Sequence, residues 1–196
     1  MNSVGAVVPP HEQHLRDLLA RIRGGDKQAM KQLYEQVAPG LLQFIRARTD
    51  DAAEAADVVQ DAFMAVWRTA DRYEGRSSVK TWIFAIARFN HIDRLRKRGR
   101  EEPLDEDFEA PDIAPQPQAL AEAASDAHQV RVCIDKLPRA QARAVRLAFY
   151  DELSYGEIAA VEDIPEGTVK TRIFHAKKIL AQCLTRRLHA DSQRPA

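Results

Sequence analysis

The chain has 196 residues, of which 45% are hydrophobic and 30% are charged, and its formal net charge at pH 7 is +0. This length suits one ordinary domain or two small ones, and the apolar fraction excludes a disordered chain. No stretch approaches the roughly 20 apolar residues of a membrane span, and the first residues lack the pattern of a signal peptide. We therefore expect a cytoplasmic protein without membrane insertion.

The composition and the helix breakers predict the fold class and the domain organisation. Ala, Leu, Arg, Glu and Gln, which are strong helix formers, dominate the segments 15–98 and 126–188. Between them, residues 99–125 combine prolines with acidic and small residues. A connection of about 25 residues is long for the interior of a compact domain. We predict an all-α protein of two small helical domains joined by a flexible acidic linker.

The neutral total charge conceals two basic blocks separated by an acidic one. Basic residues dominate 76–100 and return in 170–187, whereas acidic residues without a basic one fill 101–112. Basic blocks of this density usually serve an electrostatic purpose such as binding nucleic acid.

In the first segment, Gly24-Gly25 interrupts an opening helix, Asp26 can cap the next one, and Pro39-Gly40 predicts another break. A further helix, from about Ala52 to Asp71, has an apolar face at helical spacing. That face comprises Val58, Val59, Ala62, Phe63, Val66 and Ala70. Its opposite side carries Asp57, Gln60, Asp61, Met64 and Arg68, which by themselves fit an ordinary solvated face.

A loop, Tyr73–Ser78, precedes a helix from about Val79 to Arg98. We expect its inward face to comprise Val79, Trp82, Ile86 and Phe89, and its outward face Lys80, Phe84, His91, Arg94 and Arg98. Cations interleaved with an aromatic ring suit a DNA strand, because cations meet phosphates and the ring stacks on an unpaired base. The alternative is that Phe84 packs under a neighbouring helix.

The C-terminal segment predicts a helix-turn-helix. Leu137-Pro138 opens one helix, the capping box Ser154–Glu157 opens a short second one, and a turn that contains Pro165 leads into a longer basic helix. Val169, Ile173, Ala176 and Leu180 form its predicted buried stripe. Facing away are Gly167, Thr171, Phe174, His175 and Lys178, flanked by Thr168, Lys170 and Arg172, as a helix in a DNA major groove requires.

Catalytic and metal-binding motifs are missing from the sequence. The six histidines have no HExxH or other ligand spacing, and neither a GxSxG motif nor a phosphate-binding glycine loop occurs. We expect no enzymatic activity, no metal and no cofactor. Cys133 and Cys183 lie far apart without a CxxC motif, so we predict two reduced thiols. A redox-sensing role for them is a hypothesis.

Three groups of motifs resemble one family. Residues 57–68 resemble the conserved region 2 helix of bacterial sigma-70-family factors, and 81–88 with 92–96 look like the promoter-melting and −10-reading part of that region. Leu137-Pro138 and the segments 153–159 and 164–172 resemble region 4, which reads the −35 element. Two regions joined by a short linker are typical of the extracytoplasmic-function (ECF, group 4) sigma factors.

The resemblance implies partners and residue roles. In region 2, the polymerase-binding stripe, defined as Asp57, Gln60, Asp61, Met64 and Arg68, would dock on the β′ coiled coil of core RNA polymerase. The loop Tyr73–Ser78 would hold a flipped −10 base. The −10 contacts would be Tyr73, Arg76, Ser77, Lys80, Phe84, Arg88, Asn90, His91, Arg94 and Arg98. Family members often have Asn where this chain has Phe89, and Asn90, one residue further, is rotated by about 100° around the helix. The resemblance therefore does not carry over a −10 base preference.

Region 4 would contact the polymerase β flap and the −35 element. Its DNA contacts would be Gly167, Thr168, Lys170, Thr171, Arg172, Phe174, His175 and Lys178. The linker would lie near the polymerase active-site cleft and RNA exit path, and an anti-sigma factor would hold the protein inactive. The predicted function is thus an alternative sigma factor for promoter-specific initiation. The alternative, a regulator that binds operators without polymerase, has no need of the polymerase-binding stripe.

Overall fold

The computed structural model describes residues 8–49, 51–98 and 123–191, and every regular element in these ranges is helical. This confirms the all-α prediction. The predicted linker, 99–125, lies outside the described residues except for its last three, which begin a helix. Of the helices described, none has the length and apolarity of a membrane span. The elements are α1 (Pro10–Arg23), α2 (Lys27–Arg46), α3 (Ala52–Thr69), a 3₁₀ turn (Ala70–Arg72), α4 (Val79–Arg98), α5 (Ala123–Asp135), α6 (Arg139–Phe149), α7 (Tyr155–Glu162) and α8 (Glu166–Asp191).

The chain divides into two compact units, of which the first contains α1 to α4. Local capping fixes where its helices begin. The Asp26 carboxylate accepts from the backbone N–H groups of Gln28 and Ala29, as predicted, and Asp51 caps α3 in the same way. Each such cap contributes about 1 kcal/mol to helix stability. The helices α2, α3 and α4 then pack against one another, and α1 covers α2.

The predicted break at Pro39-Gly40 is wrong, because α2 continues through Pro39 to Arg46. A proline inside a helix costs about 3 kcal/mol, since it removes one backbone hydrogen bond and crowds the preceding turn. Pro39 lies on the exposed side. On the other side, a continuous stripe of large apolar residues is buried, and each contributes about 1.5–3 kcal/mol. Burial of Leu33, Val37, Leu41, Phe44 and Ile45 therefore outweighs the proline penalty.

The predicted inward face of α3 is confirmed. All six residues of the predicted apolar stripe, from Val58 to Ala70, are buried. The polymerase-binding stripe consequently lies on the exposed side of the same helix.

The second unit is organised around α8, on which α5, α6 and α7 all pack. Leu137 between α5 and α6, Val145 of α6 and Ile158 of α7 are buried, as are Val169 and Ile173 of α8. Lys170, Phe174 and His175 of α8 remain exposed, so one face of this helix is available to solvent.

The prediction of two reduced thiols is wrong, since Cys133 of α5 and Cys183 of α8 form a disulfide bond. The two residues are 50 positions apart in sequence, and their Cα atoms lie 5.9 Å apart where α5 packs on α8. Both side chains are buried. Sequence spacing could not indicate this pair, because tertiary packing of two helices brings the sulfur atoms together.

Candidate nucleic-acid and polymerase interfaces

The structure confirms a helix-turn-helix in the second unit. The Ser154 hydroxyl accepts from the backbone N–H of Glu157, whose carboxylate accepts from the Ser154 N–H, so the predicted capping box is present. The helix α7 ends at Glu162, and the next residue, Asp163, adopts a left-handed conformation with φ of 58°. Asparagine and aspartate tolerate this conformation better than most residues, and it turns the chain sharply into α8.

The orientation of α8 agrees with the prediction. Val169, Ile173 and Ala176 are buried, and Leu180 is half-buried. Phe174 is 67% exposed, with its ring edge-on to His175 at 5.5 Å between centroids. The candidate −35 surface is defined as the eight predicted −35 contacts. Six of these are exposed, while Thr168 and Arg172 are half-buried.

A buried carboxylate braces the start of this helix-turn-helix. The Glu162 side chain is almost fully buried at the end of α7 and lies 3.3 Å from Arg143 Nε and 4.0 Å from Arg172 Nη1. It thereby links α6, α7 and α8. Lys170 pairs instead with Glu166 at 2.8 Å, and this hydrogen bond raises the pKa of the Lys170 ammonium group. Both pairs hold cations close to the start of the exposed face of α8.

The stripe on α3 that is predicted to bind polymerase is exposed along its whole length, with Met64 50% exposed. Two of its carboxylates reach α4: Arg94 lies 2.5 Å from Asp61 and 3.5 Å from Asp57. The hydrogen bond with Asp61 raises the pKa of the Arg94 guanidinium. One cation of the predicted −10 helix is therefore bound to the stripe in this structure.

The predicted facing of α4 is only partly correct, because Val79 is buried as predicted but most of the buried face lies elsewhere on the helix. Phe84 is fully buried with its ring 5.0 Å from that of Phe44, and Ile83 and Ala87 are buried beside it. Of the residues predicted to face outward, Phe84 and His91 are thus buried, whereas Lys80 and Arg94 are half-buried and Arg98 is exposed. Of the residues predicted to face inward, Val79 is buried and Trp82 and Ile86 are half-buried, but Phe89 is 66% exposed.

Burial also removes His91 from the predicted DNA contacts. His91 Nδ1 lies 4.0 Å from Glu54 Oε1, and neither atom has a hydrogen-bond partner among the described residues. Burial lowers the pKa of the His91 imidazole, and the nearby Glu54 carboxylate only partly opposes this effect. Arg98 donates to the other oxygen of Glu54 at 3.0 Å. Arg98 therefore connects α4 to α3 through the buried Glu54 carboxylate, and His91 is buried beside it.

Tyr73 is also unavailable for a direct base contact through its ring. The ring is buried against Trp82, at 5.4 Å between centroids, and the hydroxyl donates to the Ser77 carbonyl at 2.6 Å. This bond closes the loop Tyr73–Ser78, and Gly75 supplies the positive φ of 74° that its turn needs. The Arg76 side chain is exposed, with Glu74 at 2.5 Å. Ser77, Lys80, Arg88 and Asn90 are half-buried.

Two features of the first unit are not predicted by the sequence patterns. Phe89 was assigned to the core because it continues an apolar stripe, but it is a solvent-exposed ring on a basic helix. Two α1 side chains, Glu12 and Arg23, make hydrogen bonds to the segment from Ala70 to Val79. No local sequence signal indicates these bonds, because they join residues 47 to 67 positions apart.

Comparison with known proteins decides the family. The model of Sigma-70 region 2 matches residues 33–101, and that of Sigma-70, region 4 matches residues 127–180. An ECF RNA polymerase sigma factor, RpoE, from Cereibacter sphaeroides is 36% identical over 76% of this chain and 82% of its own length. The chain belongs to the ECF sigma factors. It therefore binds core RNA polymerase and directs promoter-specific transcription initiation, and it is not an enzyme.

Other relatives extend the similarity over more of this sigma factor. The RNA polymerase sigma-H factor of Pseudomonas aeruginosa is 32% identical over 86% of this chain and 93% of its own length. The sigma factor RpoE of Bartonella quintana, solved in complex with the anti-sigma factor NepR, has a TM-score of 0.57 and 29% identity. That alignment covers 79% of this chain and 96% of the Bartonella chain.

Proposed function

We propose that this sigma factor reads the −35 element with the exposed face of α8. The observation that carries the proposal is the orientation of α8 after the capped, sharply turned α7. This orientation exposes Phe174 and His175 among Lys170, Thr171 and Lys178. In a major groove, an apolar ring can contact a thymine methyl group while cations bind phosphates or guanine edges. Residues 126–188 would form the −35-binding domain, which also contacts the β flap.

The first unit, residues 15–98, would bind the polymerase β′ coiled coil and the −10 element. The polymerase-binding stripe supports the first role, because exposed carboxylates beside an exposed methionine suit a basic partner helix with apolar contacts. For the −10 strand, the outward ring of Phe89 replaces the buried Phe84 as the stacking platform. Arg88 and Arg96 lie close to Phe89 along α4, where they can bind phosphates.

The loop Tyr73–Ser78 would hold a base flipped from the −10 element. Extrusion of a base costs a few kcal/mol, so the receiving site must be formed in advance. The internal Tyr73–Ser77 bond and the exposed Arg76 support this role, since the backbone is fixed while a cation remains at the rim.

An anti-sigma factor is the proposed regulator. The support is the likeness to the Bartonella quintana sigma factor, which was solved with the anti-sigma factor NepR. A partner that covers the α3 stripe or the −35 surface would block polymerase or promoter binding. The proposed location is the cytoplasm, where polymerase and chromosomal DNA are found.

Run-off transcription tests the proposed function. Purified core RNA polymerase is incubated with and without the protein on a library of genomic promoter fragments. We expect discrete transcripts only when both are present, and their upstream sequences define the −35 and −10 elements. Tight binding of fragments by the protein alone, without a polymerase-dependent transcript, would favour the operator-binding regulator instead.

We expect Phe174→Ala to weaken holoenzyme binding to the −35 element by about 1–2 kcal/mol, because a mismatch at one base pair has a cost of this size. Folding stability is expected to remain unchanged, since the ring is 67% exposed. Replacement of −35 thymines by uracil, which lacks the methyl group, is expected to weaken wild-type binding but not that of the variant. Equal losses for both proteins would show that Phe174 does not read a thymine methyl.

A further inference from the structure

The first helix makes contacts that its sequence gives no reason to expect. Glu12 lies in the first turn of α1, and its side chain is only 12% exposed. Both oxygens of its carboxylate accept from the backbone N–H of Val79, at 3.1 and 3.2 Å. Arg16 Nε donates to the same carboxylate at 2.6 Å. A buried, ion-paired carboxylate is therefore fixed against the first residue of α4.

This contact completes the N-terminal cap of α4. The first backbone N–H groups of a helix have no partner within the helix, and a negative charge near them is favourable. The Ser78 hydroxyl accepts from the Thr81 N–H at 3.3 Å, whereas Glu12 accepts from that of Val79. The cap of α4 thus combines one local side chain with one that comes from another helix.

The same helix also holds the other side of the loop. Arg23, in the last turn of α1, donates to the Ala70 carbonyl at 2.9 Å and to the Tyr73 carbonyl at 2.6 Å. The Tyr73 hydroxyl lies 3.4 Å from Glu12 Oε1 and donates to Ser77. The loop Tyr73–Ser78 is therefore fixed to α1 at both ends, by a cation on one side and an anion on the other.

We propose that Glu12 is a positioning residue: it holds the loop Tyr73–Ser78 in the conformation that receives an unpaired promoter base. This inference rests on the proposed role of the loop. Glu12 and Arg23 precede residue 33, where the match to the region 2 family model begins. The positioning contacts thus belong to a helix outside the matched segment. A loop fixed before binding avoids the entropy cost of ordering it when the base arrives.

The test uses holoenzyme made from core polymerase and the full chain, with a single-stranded non-template −10 oligonucleotide from a promoter found by run-off transcription. One oligonucleotide is intact, and others carry a single abasic site at each −10 position in turn. For the wild type, we expect one abasic position to weaken binding because the loop loses its base. For Glu12→Ala, we expect the affinity for the intact strand to fall about fivefold to tenfold, as for a lost helix cap. The abasic site that weakens binding by the wild type is expected to cause no further loss in this variant.

Two further variants separate positioning from general damage. Glu12→Gln keeps an oxygen that can accept from Val79 but loses the charge, so we expect a smaller loss and partial retention of the abasic effect. Asp17→Asn removes an exposed charge from the same helix. The Asp17 carboxylate accepts from the exposed Gln13 side chain at 2.9 Å, away from the loop, so this variant is expected to match the wild type. Affinity for core polymerase is expected to be unchanged in all three.

Full retention of the abasic effect in both Glu12 variants would overturn the positioning role, and so would parallel losses of core binding and −10 binding. If no abasic position affects the wild type while run-off transcription succeeds, the loop is not a base pocket. Its proposed role and this inference then fail together, while promoter-specific initiation stands. If run-off transcription also fails, the proposed function itself is overturned.

Discussion

Asp61→Arg is expected to reduce polymerase-dependent transcription by about a hundredfold or more, which corresponds to about 2.7 kcal/mol of binding free energy. Charge pairs at protein interfaces contribute about 1.5–7 kcal/mol when they are close, and like charges placed opposite one another cost several more. The substitution removes an exposed carboxylate from the middle of the polymerase-binding stripe and puts a second cation beside Arg94. The measurement is a titration of core polymerase, followed by run-off transcription.

Folding is expected to survive this substitution, because exposed ion pairs contribute only about 0–1 kcal/mol to stability. Glu35→Arg on α2 is a matched control, since it reverses an exposed charge outside the stripe, and it is expected to leave transcription intact. The double variant Asp61→Arg, Arg94→Asp restores an ion pair between α3 and α4, but it leaves a cation where the stripe has a carboxylate. Wild-type core affinity in this double variant would show that Asp61 acts only through Arg94.

Reduction of the Cys133–Cys183 bond is expected to lower the free energy of unfolding of the second unit by about 2–4 kcal/mol. The bond joins residues 50 apart in sequence and therefore restricts the unfolded chain strongly. This loss is a large fraction of the total stability of a small domain, which is about 5–15 kcal/mol. Disulfides are rare in the cytoplasm, where those present are usually transient or redox-sensing. In the proposed location, the cytoplasm, the stability of the reduced form of the second unit is therefore the relevant quantity.

Urea unfolding of the full chain, followed by circular dichroism with and without a reductant, measures this effect. The control is the Cys133→Ser, Cys183→Ser double variant, whose unfolding is expected to be insensitive to reductant. Thiol titration of the denatured, unreduced wild type is expected to detect no free thiol. A wild-type transition that does not move on reduction would contradict the prediction.

The helices whose two sides differ sharply in polarity could be predicted from the sequence. On α3 and α8, apolar residues recur on one side and polar or charged residues fill the other, so the buried faces follow from helical spacing alone. The cap of α7 was equally readable, because the S-x-x-E pattern acts within four residues. These local features account for the correct placement of Phe174 and of the polymerase-binding stripe.

The orientation of α4 could not be predicted, because this helix has two competing apolar stripes. Val79, Trp82, Ile86 and Phe89 form one, of which only Val79 is buried. Ile83, Phe84 and Ala87 form the other, and all three are buried. Cations near the C-terminal end of the buried stripe suggested an outward face. They are accommodated because α3 supplies Glu54, Asp57 and Asp61 directly opposite them.

Contacts between residues that are distant in the sequence could likewise not be predicted. The Cys133–Cys183 bond and the Glu12–Val79 hydrogen bonds depend on how helices pack, and neither has a characteristic spacing. Pro39 is a related case, since the local penalty for proline is visible in the sequence but the burial that outweighs it is not. In each case tertiary structure decides between locally reasonable alternatives.

The shared position of Arg94 has a thermodynamic consequence. Its guanidinium is bound to two carboxylates of the polymerase-binding stripe, yet it lies on the helix that carries the proposed −10 contacts. If basic groups of the polymerase take over Asp57 and Asp61, Arg94 becomes available to a DNA phosphate. Linkage is reciprocal. If polymerase raises the affinity of the sigma factor for melted promoter DNA, that DNA must raise the affinity of the sigma factor for polymerase by the same factor. Loss of the single-stranded DNA after initiation would remove that contribution and favour release of the sigma factor.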